Sequence, residues 1–230
     1  MNDLCKRGWV SDASVSKNIN ISDALLLEYL NSGEATKRTI AAHVIKSRGD
    51  VSFVEPFIAA LCKEKKLYSK IALSEALGSL GPASVIACIP YLGKIGKNQH
   101  VTLPVKPFLK NNYPLPRDII ARTICKAGEL ALPILIENID LDDLQQLSEG
   151  IDAIGYISYY KNNDTSLDYI LMLLDYHRSK DLIVWKTLRA LQAFPNKQVT
   201  SILETVITTT NILQHQWEAQ RSLKKCLEKR

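Results

Sequence analysis

The five Cys of this sequence contain no CxxC pair. An odd, dispersed set fits neither a disulfide framework nor a zinc site, and reduced core thiols at Cys62, Cys88 and Cys125 account for it better. The four His, at 43, 100, 177 and 215, show no HxxxH or HExxH spacing, so no metal site is indicated. GxGxxG, GxxxxGK[ST] and GxSxG are all absent, which leaves a phosphate cradle or a nucleophile elbow without support. No catalytic residue and no cofactor is therefore assigned, and a non-enzymatic role is expected. Gly and Pro are few, at 10 and 9, which excludes collagen-like and low-complexity chains. The apolar runs LALPILI (130–136) and YILMLL (169–174) fall short of the roughly 18 residues that a membrane span needs. Two charges in MNDLCKRGWV stand where a signal peptide would carry its apolar segment. A cytoplasmic protein with no membrane partner is expected. Nothing alternates with period two for long enough to make a strand.

The chain does have size, apolar content and a repeat. Its 230 residues, 46% of them apolar, can bury a substantial core. Six windows lie over one another: VIKSRG at 44, ALGSLG at 76, TICKAG at 123, AIGYIS at 153, ALQAFP at 190 and SLKKCL at 222. One column is aliphatic (Ile45, Leu77, Ile124, Ile154, Leu191, Leu223). The position before it is small or β-branched (Val44, Ala76, Thr123, Ala153, Ala190, Ser222). The position before that is polar (His43, Glu75, Arg122, Asp152, Arg189, Arg221) and is expected to face solvent. A core-filling residue beside a small one that admits a neighbouring helix is what stacked helices require.

A second helical pattern follows most windows, often after a breaker such as Gly49-Asp50, Gly81-Pro82 or Gly128. These second helices are expected near 51–66, 82–95, 129–139, 165–178 and 196–210. Ser22 reads as the N-cap of a leading helix, and the last 18 residues read as one amphipathic helix. The expected architecture is all-α: about five helix hairpins with terminal capping helices, a partly irregular arm at 1–21 and a single repeat domain at 22–230.

Between the second and third windows the spacing stretches to 47 residues. The excess, GKNQHVTLPVKPFLKNNYPLP, carries Pro104, Pro107, Pro114 and Pro116 and cannot be helical. This insert at 97–116 is expected either to carry partner contacts or to pack through Val105, Phe108 and Tyr113 over the inner face. Charge is blocked along the chain. Residues 76–127 hold seven Lys and Arg against Asp118 alone, 128–176 hold ten acidic residues against Lys161, and 177–230 are basic again. The acidic block argues against a continuous nucleic-acid groove and favours a protein partner. Asp140, Asp142 and Asp143 read as the opening of a helix near 142. Tyr156, Tyr159, Tyr160, Tyr169 and Tyr176 crowd one unit beside Trp185 and supply either packing or contact area.

The pattern ALGSLGPASVIACIPYL, on helix pairs of about 30 residues, resembles HEAT repeats, in particular the short HEAT-like repeats of phycobilisome lyases. The resemblance covers about residues 34–230 and is closest at 68–96. It implies an armadillo-like, right-handed α-α superhelix with first helices outside and second helices lining the inner face. It implies no reaction, since most of the family are binding scaffolds. A protein-binding role follows, with Tyr91, Lys94, Lys97, Lys106, Phe108, Tyr169 and Tyr176 as candidate contacts. The alternative is nucleic-acid binding or repair, because one group of bacterial alkylpurine DNA glycosylases is built from similar repeats and uses Trp residues and an Asp in a basic cleft. Here Asp181 and Trp185 stand at i and i+4, while Trp9 and Trp217 are distant in sequence. A third reading, from the lyases themselves, is an enzyme subunit that handles a bilin.

Overall fold

The computed structural model describes residues 3–228, and among the described residues every regular element is helical. The arm contains α1 (Asp3–Lys6) and α2 (Asp12–Lys17). It is followed by α3 (Asp23–Leu30), α4 (Ala35–Arg48), α5 (Val54–Lys63), α6 (Leu67–Gly78) and α7 (Pro82–Cys88). After the Pro-rich segment come α8 (Ile119–Lys126), α9 (Ala131–Asn138), α10 (Leu144–Lys161), α11 (Leu167–Tyr176), α12 (Asp181–Ala190), α13 (Lys197–Thr209) and α14 (Leu213–Glu228). The last two residues of the expected C-terminal helix lie outside the described residues. No described helix is long and apolar enough to cross a membrane.

The helix boundaries follow from local chemistry. Ser22, Asp118, Asp143 and Asn196 each cap a helix by accepting a backbone N–H three residues on. The aspartate cluster thus opens α10 as its sequence suggests, with Asp143 as the cap. Gly49 ends α4 at φ 67°, and Gly81 at φ 80° hands the chain to Pro82, the first residue of α7.

The chain forms two compact units that divide after Cys88, where the sequence suggests one repeat domain from 22 onward. In the first unit α4 packs on α6, α5 packs on α6, and α3 and α7 pack on α5. The arm is fixed to this unit: Arg48 donates to the Ile19 and Ile21 carbonyls and to Asp23, and Tyr68 N–H donates to the Arg7 carbonyl. Arg38 and Glu64 form a two-pronged pair at 2.6 and 2.9 Å. In the second unit α8, α10, α12 and α14, the helices that carry the windows, pack side by side in chain order, with α9, α11 and α13 against α10, α12 and α14.

The six small residues of the repeat are all buried, as are five of the six aliphatic ones, while Leu223 is half-buried. The polar column departs from expectation. His43, Glu75, Arg122 and Arg221 are half-buried, but Asp152 and Arg189 are buried at 4% and 5% exposure. Cys62 also departs, since it lies on the exposed side of α5 and not in the core.

Gly49 has open space where a Cβ would sit, so only its left-handed backbone resists substitution. Gly49→Ala should lower the unfolding free energy by about 1–2 kcal/mol in urea titrations, and Gly49→Asn by less, because Asn tolerates that conformation. An Ala variant as stable as the parent would contradict this cap.

Candidate functional site

Segment 97–116 is a strap pinned at both ends. Gln99 Nε2 donates to the Ile95 carbonyl (2.7 Å) and to Asp118 Oδ2 (2.8 Å), tying the two feet together, while Asp118 Oδ1 caps α8. Arg117 donates to Asn98 Oδ1 (3.0 Å) and lies 3.3 Å from His100 Nε2. Beyond the feet the strap crosses α10, α12 and α14. Tyr113 is buried and packs its ring on Tyr156 and Tyr159. Tyr160 donates to the Tyr113 carbonyl (3.3 Å). Lys225 donates to Asn111 Oδ1 at 3.5 Å. Phe108 lies near two guanidinium groups, 5.8 Å from Arg189 and 5.2 Å from Arg221.

These contacts correct two expectations. The strap lies over the window-bearing helices and not the second helices, and Val105 does not anchor it, being 87% exposed. Tyr113 and Phe108 do face the helices. Gly155 shows how closely Tyr113 is seated: a Cβ at this position would collide with the Tyr113 hydroxyl.

Under the strap, helical spacing brings charge together. Glu149 and Asp152 stand at i and i+3 on α10, and Lys186 and Arg189 at i and i+3 on α12. Lys186 Nζ donates to Glu149 Oε1 (2.7 Å) and Asp152 Oδ2 (2.9 Å), and all three side chains are buried. Arg189 stacks on Trp185 at 3.8 Å and pairs with Glu218 of α14 at 3.4 Å, while Arg221 reaches Gln192 at 3.1 Å. Three cations thus meet three carboxylates. Removing one member of such a buried set costs about 3–5 kcal/mol, because its partner is left uncompensated. Burial pushes Glu149 up to about 7 despite Lys186 beside it. Burial, helped by Arg117, Arg189 and Lys186, holds His100 down at about 4.

Between strap and helices lies a half-open cavity of about 610 Å³. Its wall includes Phe108, Tyr113, Tyr156, Tyr160 and Trp185, together with the buried Asp152 and Arg189. Lys106, Lys110 and Arg117 line it from the exposed strap. Asp152 Oδ1 and the Tyr113 hydroxyl have no hydrogen-bond partner. A second cavity of about 490 Å³ is lined by His100, like the first, and by Ser148 and Glu149, whose Oγ and Oε2 also lack partners.

Of the candidate contacts, Lys106 and Phe108 come together at the first cavity. Lys97 is exposed beside the strap's first foot, Lys94 pairs with Asp143 at 3.4 Å, and Tyr91 is half-buried. Tyr169 and Tyr176 sit apart on α11: burial raises Tyr169 to about 12, and Tyr176 is exposed. Asp181 and Trp185 do not share a site, because Asp181 is exposed at the start of α12 while Trp185 is buried under the strap. Sequence reasoning passed over Asp152, Arg189, Lys186 and Glu149. The available signal was the polar column itself, which places Asp152, Arg189 and Arg221 in one register. Among the described residues no cluster of His, Cys, Asp and Glu can hold a metal ion. No protein-family model matches this chain, and no curated protein matches it.

Gly155→Ala should lower the thermal unfolding free energy by about 1–3 kcal/mol through overpacking, and Tyr113→Phe in the same chain should recover part of the loss. A loss indifferent to Tyr113→Phe would contradict the seating of the strap.

The two shifted groups pull stability in opposite directions. Glu149, ordinarily near 4.5, keeps its proton in the folded chain up to about 7, so its contribution is complete below 4.5 and lost as pH rises through 7. His100, ordinarily near 6.5, stays neutral down to about 4, so its contribution is present above 6.5 and lost as pH falls through 4. In urea unfolding, Glu149→Gln should gain on the parent as pH rises from 4.5 to 7. His100→Asn should lose ground on it as pH rises from 4 to 6.5. Identical profiles for all three chains would contradict both assignments.

Proposed function

We propose that this chain is a HEAT-like helical-repeat scaffold, a right-handed solenoid without a reaction of its own, that holds an acidic protein or peptide segment against its strap. The repeat reading is supported by the buried small column and by window helices that touch in chain order within each unit. The binding reading is carried by one observation: the three most exposed large apolar side chains among the described residues are Val105, Leu109 and Val101, at 87%, 85% and 77%, and all are on the strap. Solvent-facing apolar groups in one segment mark an interaction surface. The charges around them select the partner. Lys97, Lys106, Lys110 and Arg117 are exposed there, and no acidic residue occurs between 76 and 117.

A nucleic-acid strand would also meet basic groups and rings, which keeps that reading as the runner-up. The exposed aliphatic side chains of the strap offer nothing to phosphate.

The test is binding of a glutamate–tyrosine copolymer to the immobilised full chain, with a single-stranded oligonucleotide as the second probe. The copolymer should bind, more weakly as salt rises, and Lys106→Glu with Lys110→Glu should weaken it at least about tenfold without changing the melting temperature. Failure of the copolymer to bind, or equal binding by the double variant, overturns the reading. Binding of the oligonucleotide alone, with steep salt dependence, replaces it with the runner-up.

A further inference from the structure

The cavity beneath the strap falls within the size range of ligand pockets, roughly 300–1,000 Å³. Its wall is specific in two ways. It presents the rings of Phe108, Tyr156, Tyr160 and Trp185, which accept a flat apolar guest. It also includes Asp152, which is buried and held at Oδ2 by Lys186 but unpartnered at Oδ1, and Tyr113, whose buried hydroxyl is likewise unpartnered. A buried carboxylate oxygen without a donor is costly, and a guest that supplies one removes that cost.

Charge limits the guest further. A cationic side chain would face Lys186 and Arg189 behind Asp152 and Lys106, Lys110 and Arg117 at the strap, so the donor has to be neutral. A purely aliphatic or phenyl guest would fill space and leave Asp152 Oδ1 unmet. We infer that the partner's anchor is a Trp or Tyr side chain flanked by acidic residues, which enters beneath the strap and donates its indole N–H or phenol O–H to Asp152. The inference rests on the acidic-segment reading above and names the residue that such a segment inserts. Rings with a polar tip in a desolvated pocket are the common form of a binding anchor. The acidic flanks then remain outside, against Lys106, Lys110 and Arg117. A nucleobase with its phosphate has the same outline, flat with donors and an anionic arm, and enters the test as a competitor.

The experiment is selection of a randomised peptide display library on the full chain, followed by affinity measurement with synthetic peptides of the enriched sequence. The selected peptides should be acidic around a Trp or Tyr. Replacing that residue by Phe, which keeps the ring and removes the donor, should weaken binding about tenfold, and replacing it by Ala about a hundredfold. Because these changes are made in the peptide, no folding defect in the protein can imitate them. Acidic peptides without an aromatic donor, or an anchor that tolerates Phe at no loss, would overturn the inference while leaving the acidic-segment reading standing. Basic peptides, no enrichment, or displacement of the peptides by a mononucleotide or a short single-stranded oligonucleotide would overturn both.

Discussion

The second unit is organised around Lys186, whose ammonium group is fully buried between the carboxylates of Glu149 and Asp152. A charge taken out of water on this scale is tolerable only when its partners are fixed at hydrogen-bonding distance and the surroundings stay closed. Both conditions constrain neighbouring elements. α10 and α12 must hold their register so that the i and i+3 positions of each face one another. The strap must remain seated, because lifting it would admit water to Asp152, Arg189 and the ring of Trp185. A buried ion cluster is poor evidence of high stability. It is better read as a fastening, because it favours one arrangement of α10, α12, α14 and strap over others that would leave a charge unpaired.

The strap shows a division of labour along its own length. Its feet are polar and closed, through Gln99 to Asp118 and Arg117 to Asn98. Its inner side is aromatic, through Phe108 and Tyr113. Its outer side leaves apolar and basic side chains in water. Proline suits such a segment. It removes backbone donors that would otherwise need partners and narrows the conformations lost on ordering, so an extended stretch can be held by a few side-chain contacts. Glu149 and Asp152, both from the acidic block of the sequence, lie beneath the strap and accept from Lys186.

Helices after residue 21 were legible where they have a local cause: a capping side chain at Ser22, Asp118, Asp143 and Asn196, a left-handed glycine at Gly49 and Gly81, or a periodic aliphatic column. The small column was legible for the same reason, since a small residue beside a core residue has meaning within one helix turn. What could not be read was where a proline-rich segment of about 20 residues would fold back. The same polar column is half-buried at His43, Glu75 and Arg122 and buried at Asp152 and Arg189, and the six sequence windows look alike at that position. The difference comes from a segment distant in sequence lying across the later helices, a contact that leaves no periodic trace. Val105 and Phe108 illustrate the limit. Both are apolar and separated by two residues, yet one is in water and the other lies beside two arginines.

The seating of the strap is the claim on which both the buried cluster and the cavity depend, and the packing of Tyr113 against Gly155 reports it most directly. Nuclear Overhauser spectroscopy on isotope-labelled protein should show strong cross-peaks between the Tyr113 ring protons and the Gly155 Hα protons, with the Gly155 resonances shifted by the ring. Absence of those cross-peaks, with Tyr113 at the shifts of an unstructured tyrosine, would mean that the strap is not seated on α10, and the account of the cluster, the cavity and the partner would fail together.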